Sequence, residues 1–109
     1  MRRGEVWTVA GGGGYTGKPR PVVVVQDDLF EVLSSVTFCP ITSEVLETGI
    51  VRPAIAPSRD NGLRASSQVM VDKITTAPRS RFGARIGALS DDDMRRINRA
   101  LLLFLGIGS

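Results

Sequence analysis

Lys18-Pro19-Arg20-Pro21-Val22-Val23-Val24-Val25 is the stretch on which the fold turns. Side chains branched at Cβ lose rotamer freedom in a helix and pack well on a pleated surface, so four successive valines predict a strand. No polar residue alternates with them, which predicts burial on both faces. Pro19 and Pro21 restrict the backbone on either side of Arg20, so the guanidinium is presented from a rigid platform at the mouth of that strand. Upstream, Gly11 to Gly14 and Tyr15-Thr16-Gly17 carry little backbone restriction, and this loop is expected to stay mobile until something binds. Before the loop, Glu5-Val6-Trp7-Thr8-Val9 alternates polar with apolar residues and predicts a half-buried strand ending at Ala10.

Downstream the pattern stays strand-rich. Asp27 to Leu33 makes a short helix or a wide connection, and Ser35 to Ile41 reads as a strand leading into Pro40-Ile41-Thr42-Ser43. Pro53 confines the segment Ile50 to Ile55 to a sheet edge or a strand end. Asn61-Gly62 marks a turn, Ser67 to Ile74 resumes a strand with a switch of face near Lys73 or Ile74, and Arg85 to Leu89 is the last short strand. Ser90 then caps a helix. Asp91, Asp92 and Asp93 complement its positive end, and Leu89 with Met94 makes a hydrophobic staple. Three adjacent carboxylates project in different directions around a helix, so this triplet reads as a cap and not as a metal site. Met94, Ile97, Leu101, Phe104 and Leu105 share the face expected to enter the core. Leu102 and Leu103 fall on the side of Arg95 and Arg99, which points to a partner there, most simply a second copy of the chain. The fold class expected is mainly β with a C-terminal α-helix, in one domain spanning residues 1–109.

The 109 residues are 42% hydrophobic and 23% charged, as in ordinary water-soluble domains. Val22 to Val25 and Leu101 to Leu105, the longest apolar runs, fall far short of the ~20 residues needed to span a bilayer, so no membrane segment is expected. Arg2 and Arg3 lead into Gly4-Glu5 instead of an apolar export signal, and a cytoplasmic protein is expected. Cys39 is the single cysteine, so no internal disulfide forms, and a buried strand cysteine is expected to be inert. The absence of histidine removes imidazole acid–base pairs, histidine-dependent nucleophiles and the usual zinc sites; neither cofactor nor metal is expected.

The net charge of +3 conceals segregation: residues 1–26 carry +3, residues 27–50 carry −5, residues 51–89 carry +5 and the remainder is neutral. Arg52, Arg59, Arg64, Lys73, Arg79, Arg81 and Arg85 supply the second basic block. Brought together with the first, they form a positive face for a polyanion or an acidic peptide. Gly12 to Lys18 has the spacing of a phosphate-binding loop, but Pro19-Arg20-Pro21 stands where that motif needs a hydroxyl residue and a helix, which excludes nucleotide hydrolysis. Lys18 and Arg20 still offer fixed charge beside backbone amides. The planar guanidinium of Arg20 suits a phosphate whose charge rises in a transition state, and Thr42 and Ser43 offer hydroxyls at a strand end.

Arg3-Gly4-Glu5-Val6-Trp7, Lys18-Pro19-Arg20-Pro21 with its valines, Pro40-Ile41-Thr42-Ser43, and Ser67 to Ile74 with Asp72 together resemble the MazF/PemK toxins in order and spacing over nearly the whole chain. The resemblance implies a small SH3-like barrel of the CcdB/MazF type, a homodimer with RNA grooves at its interface, and metal-independent, sequence-specific cleavage of single-stranded RNA. It further implies a cognate antitoxin whose acidic C-terminal segment covers the RNA site. By position, Arg20 and Thr42 match the catalytic pair. Ser43, Asp72 and Lys73 match groove positions, and the glycine-rich loop with Gly17 matches the variable first loop. Tyr15, by stacking on a base, and Lys18 are expected to hold the strand.

One departure stands out, because Met70 occupies the position of an additional catalytic Arg in PemK-like members. Since RNA carries its own 2′-hydroxyl nucleophile, alignment and charge stabilisation by Arg20 and Thr42 are the minimum the chemistry needs, giving a 2′,3′-cyclic phosphate and a 5′-hydroxyl. Two alternatives stand beside this reading. One is a CcdB-like gyrase poison, whose C-terminal Trp-Gly-Ile is here Leu105-Gly106-Ile107. The other is an inactive RNA-binding SH3-like module.

Overall fold

Val22 and Val23 lie in different cores, which is why the valine run needs no polar alternation: Val23 and Val25 join Val6, Cys39, Ile41, Val69 and Ile97, whereas Val22 joins Val9, Phe38 and Ala77. The strand carrying them, β2 (Arg20–Val24), is an inner strand of an antiparallel sheet in a computed structural model that describes residues 1–10, 18–47 and 49–108. On one side of β2 stands β1 (Glu5–Val9), with Val6 opposite Val23; on the other stands β3 (Ser35–Thr42), with Val22 opposite Pro40. The remaining strands are β4 (Ala54–Ile55), β5 (Ser67–Val69), β6 (Thr75–Pro78) and β7 (Phe82–Ala88). Their order across the sheet is β4-β5-β3-β2-β1-β7, with β6 also on β3. The result is a half-barrel of antiparallel strands with one C-terminal helix, the mainly β class expected.

The stretch Ser67 to Ile74 is not one strand. Ile41 faces Val69, whereas Phe38 faces Thr75, so three steps along β3 correspond to six along its neighbour. The surplus is taken up by a 3-10 turn, Val71–Lys73, which separates β5 from β6 and buries Val71. The last strand also differs, starting at Phe82 instead of Arg85. Glycine permits this close pairing: a Cβ on Gly83 would sit 2.7 Å from the Thr8 hydroxyl oxygen, which accepts the Ala84 amide at 2.9 Å. Strand β4 is the edge that Pro53 predicts.

Helix α1 (Asp91–Leu105) starts as its sequence demands, with the Ser90 hydroxyl accepting the Asp93 amide at 3.1 Å. It ends at Gly106, whose φ of +69° is open to glycine at little cost, and Ile107 N–H donates back to the Leu102 carbonyl. Ile97, Ala100 and Leu101 enter the core, Ile97 and Leu101 contributing ~1.5–3 kcal/mol each. Phe104 and Leu105 do not, contrary to the expected core stripe: they are 44% and 49% exposed, because burial along the helix stops at Leu101. With Leu102, Leu103 and Ile107 they form one exposed apolar end. No helix among the described residues is long and apolar enough to cross a membrane.

Candidate functional site

The register of β2 on β3, continued two residues beyond Val22 and Pro40, sets Arg20 opposite Thr42. Directly opposed residues bring their Cβ atoms to within ~5.5 Å, so the guanidinium and the hydroxyl share one patch of surface. Two open clefts meet there. The first, about 450 Å³, has a floor of Val22, Phe38, Pro40 and Ala77 and a rim that includes Met70, Lys73 and Arg81. The second, about 660 Å³, runs past Pro19, Ser43, Leu63 and Arg64 to Ile86. Arg20, Ile41, Thr42 and Glu44 belong to the wall common to both.

Local bonding fixes this wall. The Thr42 Oγ1 accepts the Glu44 amide at 3.0 Å, which sets the turn after β3 and leaves the hydroxyl proton available for donation. Farther along, the buried side chain of Gln68 acts like a short piece of strand: its Nε2 donates to the Leu46 carbonyl at 2.7 Å and its Oε1 accepts the Leu46 amide at 3.0 Å. The same loop is anchored again where Arg52 donates from Nε and Nη2 to the two carboxylate oxygens of Asp72, both at 3.1 Å. These hydrogen bonds hold the Asp72 carboxyl below its ordinary range and raise the already high pKa of Arg52. Cys39, by contrast, lies in the core, where burial pushes its thiol up to about 12.

The expected site residues therefore divide. Arg20, Thr42 and Lys73 come together on the first cleft, and Ser43 lines the second beside Arg20 and Thr42. Lys18 is exposed one residue before Pro19 and is not part of either wall. Asp72 is on neither wall, its carboxylate being engaged by Arg52. Tyr15 and Gly17 lie outside the described residues. Met70 lines the first cleft together with the cations Arg20, Lys73 and Arg81. Arg81 and Arg64 carried only the general signal of the basic block, whereas Glu44, from the acidic block, carried none beyond its place after Thr42-Ser43.

Fold and site are those of a small antiparallel β protein whose two clefts are lined by Arg20, Arg64, Lys73 and Arg81. The chain belongs to the PemK-like, MazF-like toxin family of type II toxin–antitoxin systems, whose family model matches residues 2–105. It is 49% identical over 107 residues, 98% of each chain, to the "Probable endoribonuclease MazF" of Mycolicibacterium smegmatis. It is also similar to a solved endoribonuclease from a mycobacterial species in complex with its cognate antitoxin, with a TM-score of 0.84, 25% identity and coverage of 100% of this chain and 98% of that one. A crystal structure of MazE–MazF from Deinococcus radiodurans shares the fold, with a TM-score of 0.80 at 18% identity and coverage of 99% and 98%.

Proposed function

We propose that the chain is the toxin of its toxin–antitoxin pair, a cytoplasmic, metal-independent endoribonuclease that cuts single-stranded RNA at defined sequences. The observation that carries this reading is the shared wall of the two clefts, where a strand of RNA entering one and leaving by the other passes Arg20 and Thr42. The 2′-hydroxyl attacks the adjacent phosphorus, the bond to the 5′-oxygen breaks, and the products are a 2′,3′-cyclic phosphate and a 5′-hydroxyl. Arg20 donates to the non-bridging oxygens as their charge rises, a geometry a lysine does not reproduce. Thr42 donates its remaining hydroxyl proton to the same phosphate or orients the attacking group. Lys73 and Arg81 hold the chain on one side, and Ser43 with Arg64 holds it on the other. Arg81 supplies cleft charge that Met70 does not. Asp72 acts on RNA through Lys73, whose turn it ties to Arg52, while Lys18, Tyr15 and Gly17 contact the strand from the first loop.

The chain works as a homodimer, for which the exposed end of α1, with Leu102, Leu103 and Phe104, supplies apolar surface. Its antitoxin covers the cationic clefts with an acidic segment; that a similar mycobacterial endoribonuclease is solved in complex with its cognate antitoxin supports a partner of this kind. A gyrase-poisoning role is not favoured by the family match.

The test is incubation with a long defined RNA in the presence of EDTA, with end-group analysis, alongside Arg20→Ala. Discrete cuts ending in cyclic phosphate are expected from the wild type, with a loss of ~10²–10³-fold or more in the variant. Undiminished cutting by Arg20→Ala would refute the assignment.

A further inference from the structure

The clefts contain a charge that an RNA groove does not need for binding. Among the described residues that wall them, Glu44 is the only acid, and it belongs to the boundary common to both, beside Arg20 and Thr42. A carboxylate on the path of a polyanion weakens association, because it repels the phosphates that the neighbouring cations attract. The backbone that carries it is fixed: the Glu44 amide is tied to the Thr42 hydroxyl at 3.0 Å, and the loop that follows is held by Gln68 at Leu46. The chain has no histidine, so no imidazole is present to take the proton of a 2′-hydroxyl. The remaining titratable groups on the walls are Arg20 on β2, Lys73 and Arg81 on the rim of the first cleft and Arg64 on the second, all cations; Arg52, farther along the loop of Glu44, is paired with Asp72.

We propose that Glu44 is a catalytic residue, the base that accepts the proton of the attacking 2′-hydroxyl. This rests on the ribonuclease reading of the same site. The Glu44 carboxylate takes the proton as the 2′-oxygen forms its bond to phosphorus, and the 5′-oxygen departs with the electron pair of the broken bond and takes a proton from water. Glu44 then returns its proton to solvent, so no proton is gained or lost and no co-reactant is consumed. Arg20, one strand away, neutralises part of the charge on the phosphate while Glu44 removes the proton, which divides the two duties between one cation and one anion.

The decisive experiment compares wild type with Glu44→Gln on one oligoribonucleotide containing the wild-type cut site, over a range of pH and with affinity measured on the same oligomer carrying 2′-deoxyribose at the scissile position. Glu44 is exposed, so the fold survives the change. The expected result is a fall of ~10²–10⁴-fold in kcat/KM at neutral pH, unchanged or tighter binding of the uncleavable oligomer, and loss of the acidic limb of the wild-type pH profile. Cutting by Glu44→Gln at the wild-type rate, or with the acidic limb intact, overturns the inference and leaves the ribonuclease reading in place. A variant that cuts at full rate but at different sequences also overturns it, since Glu44 then reads a base edge. A wild type that leaves all RNA intact overturns the underlying reading instead.

Discussion

The bidentate pair between Arg52 and Asp72 ties the loop after β3 to the 3-10 turn that carries Lys73, and Asp72→Asn tests what that tie is worth. Both guanidinium contacts are 3.1 Å long, and the side chains of Arg52 and Asp72 are 10% and 28% exposed, so the pair is mostly screened from water without being fully buried. Hydrogen bonds to charged groups contribute ~1.5–3 kcal/mol where desolvated. The asparagine keeps one acceptor but turns an amide donor toward the guanidinium and removes the charge, so a loss of about 2 kcal/mol at pH 7 is expected. With an m-value of ~1–3 kcal/mol per molar, the urea midpoint falls by about 0.7–2 M, measured at fixed protein concentration.

The pH dependence gives this prediction its sign. The Asp72 carboxyl is held below its ordinary value in the folded chain, so the folded state binds fewer protons there than the unfolded state. The contribution is therefore complete above the unfolded carboxylate value of ~3.9 and disappears as pH falls through the lower folded value. Wild type and Asp72→Asn should differ at pH 7 and converge progressively below about pH 4. Equal midpoints at pH 7, or a difference that does not shrink in acid, would refute the reasoning. A variant that keeps its stability but loses RNA affinity would put Asp72 directly in the groove.

Other outcomes follow from single positions. In Gly87→Ala the new Cβ would lie 2.3 Å from the Asp60 carbonyl oxygen and 2.4 Å from the Asn61 carbonyl carbon, both backbone, so the urea midpoint should drop by the equivalent of about 1–3 kcal/mol or more; an unchanged midpoint would mean the loop moves aside freely. Ser90→Ala removes the hydroxyl that accepts the Asp93 amide and should cost ~1 kcal/mol by the same assay. Native Cys39, its thiol raised to about 12 by burial, should resist a thiol-specific disulfide reagent at pH 8 and react fully in guanidinium; rapid reaction of the folded chain would contradict its burial. Leu103→Glu, at a position 57% exposed, should convert the proposed dimer to a monomer in sedimentation without lowering helix content, and an unaltered sedimentation coefficient would count against an interface at this end of the helix.

Legibility in the sequence follows the range of the forces involved. The valine run and the capped start of α1 were readable because their causes are local: β-branching in one case and a hydroxyl three residues from an amide in the other. The start of β7 was not, because Gly83-Ala84 has weak strand propensity and is drawn into the sheet by the close approach of Thr8, a residue 76 positions away in Ala84's hydrogen bond. The exposed end of the helix is not legible for a related reason. Periodicity assigns Phe104 and Leu105 a face but does not say where the core beneath that face ends. In the site, Arg20 announced itself through its flanking prolines and Thr42 through the strand end, whereas Glu44 and Arg81 needed the sheet to bring them to the same clefts.

The turn that carries Lys73 occupies a middle position, since its cause was visible as a residue and invisible as a consequence. Pro40 sits well inside β3, where a proline is ordinarily excluded because it lacks the amide proton of the ladder. A strand residue's N–H and C=O point to the same side, and the Pro40 carbonyl accepts the Met70 amide at 2.8 Å, so the missing donor faces the neighbour formed by β5 and β6. That neighbour leaves the ladder next to this point: Met70 is followed by the Val71–Lys73 turn, and pairing resumes with Thr75 opposite Phe38. The proline removes the bond that would reward a continuous strand, and the three surplus residues carry Lys73 outward to the rim of the first cleft while Val71 enters the core. Pro40→Val would restore the donor but find no strand opposite it, so the expected consequence is a strained or shifted register and a displaced Lys73. It should weaken RNA affinity more than it alters the wall formed by Arg20 and Thr42.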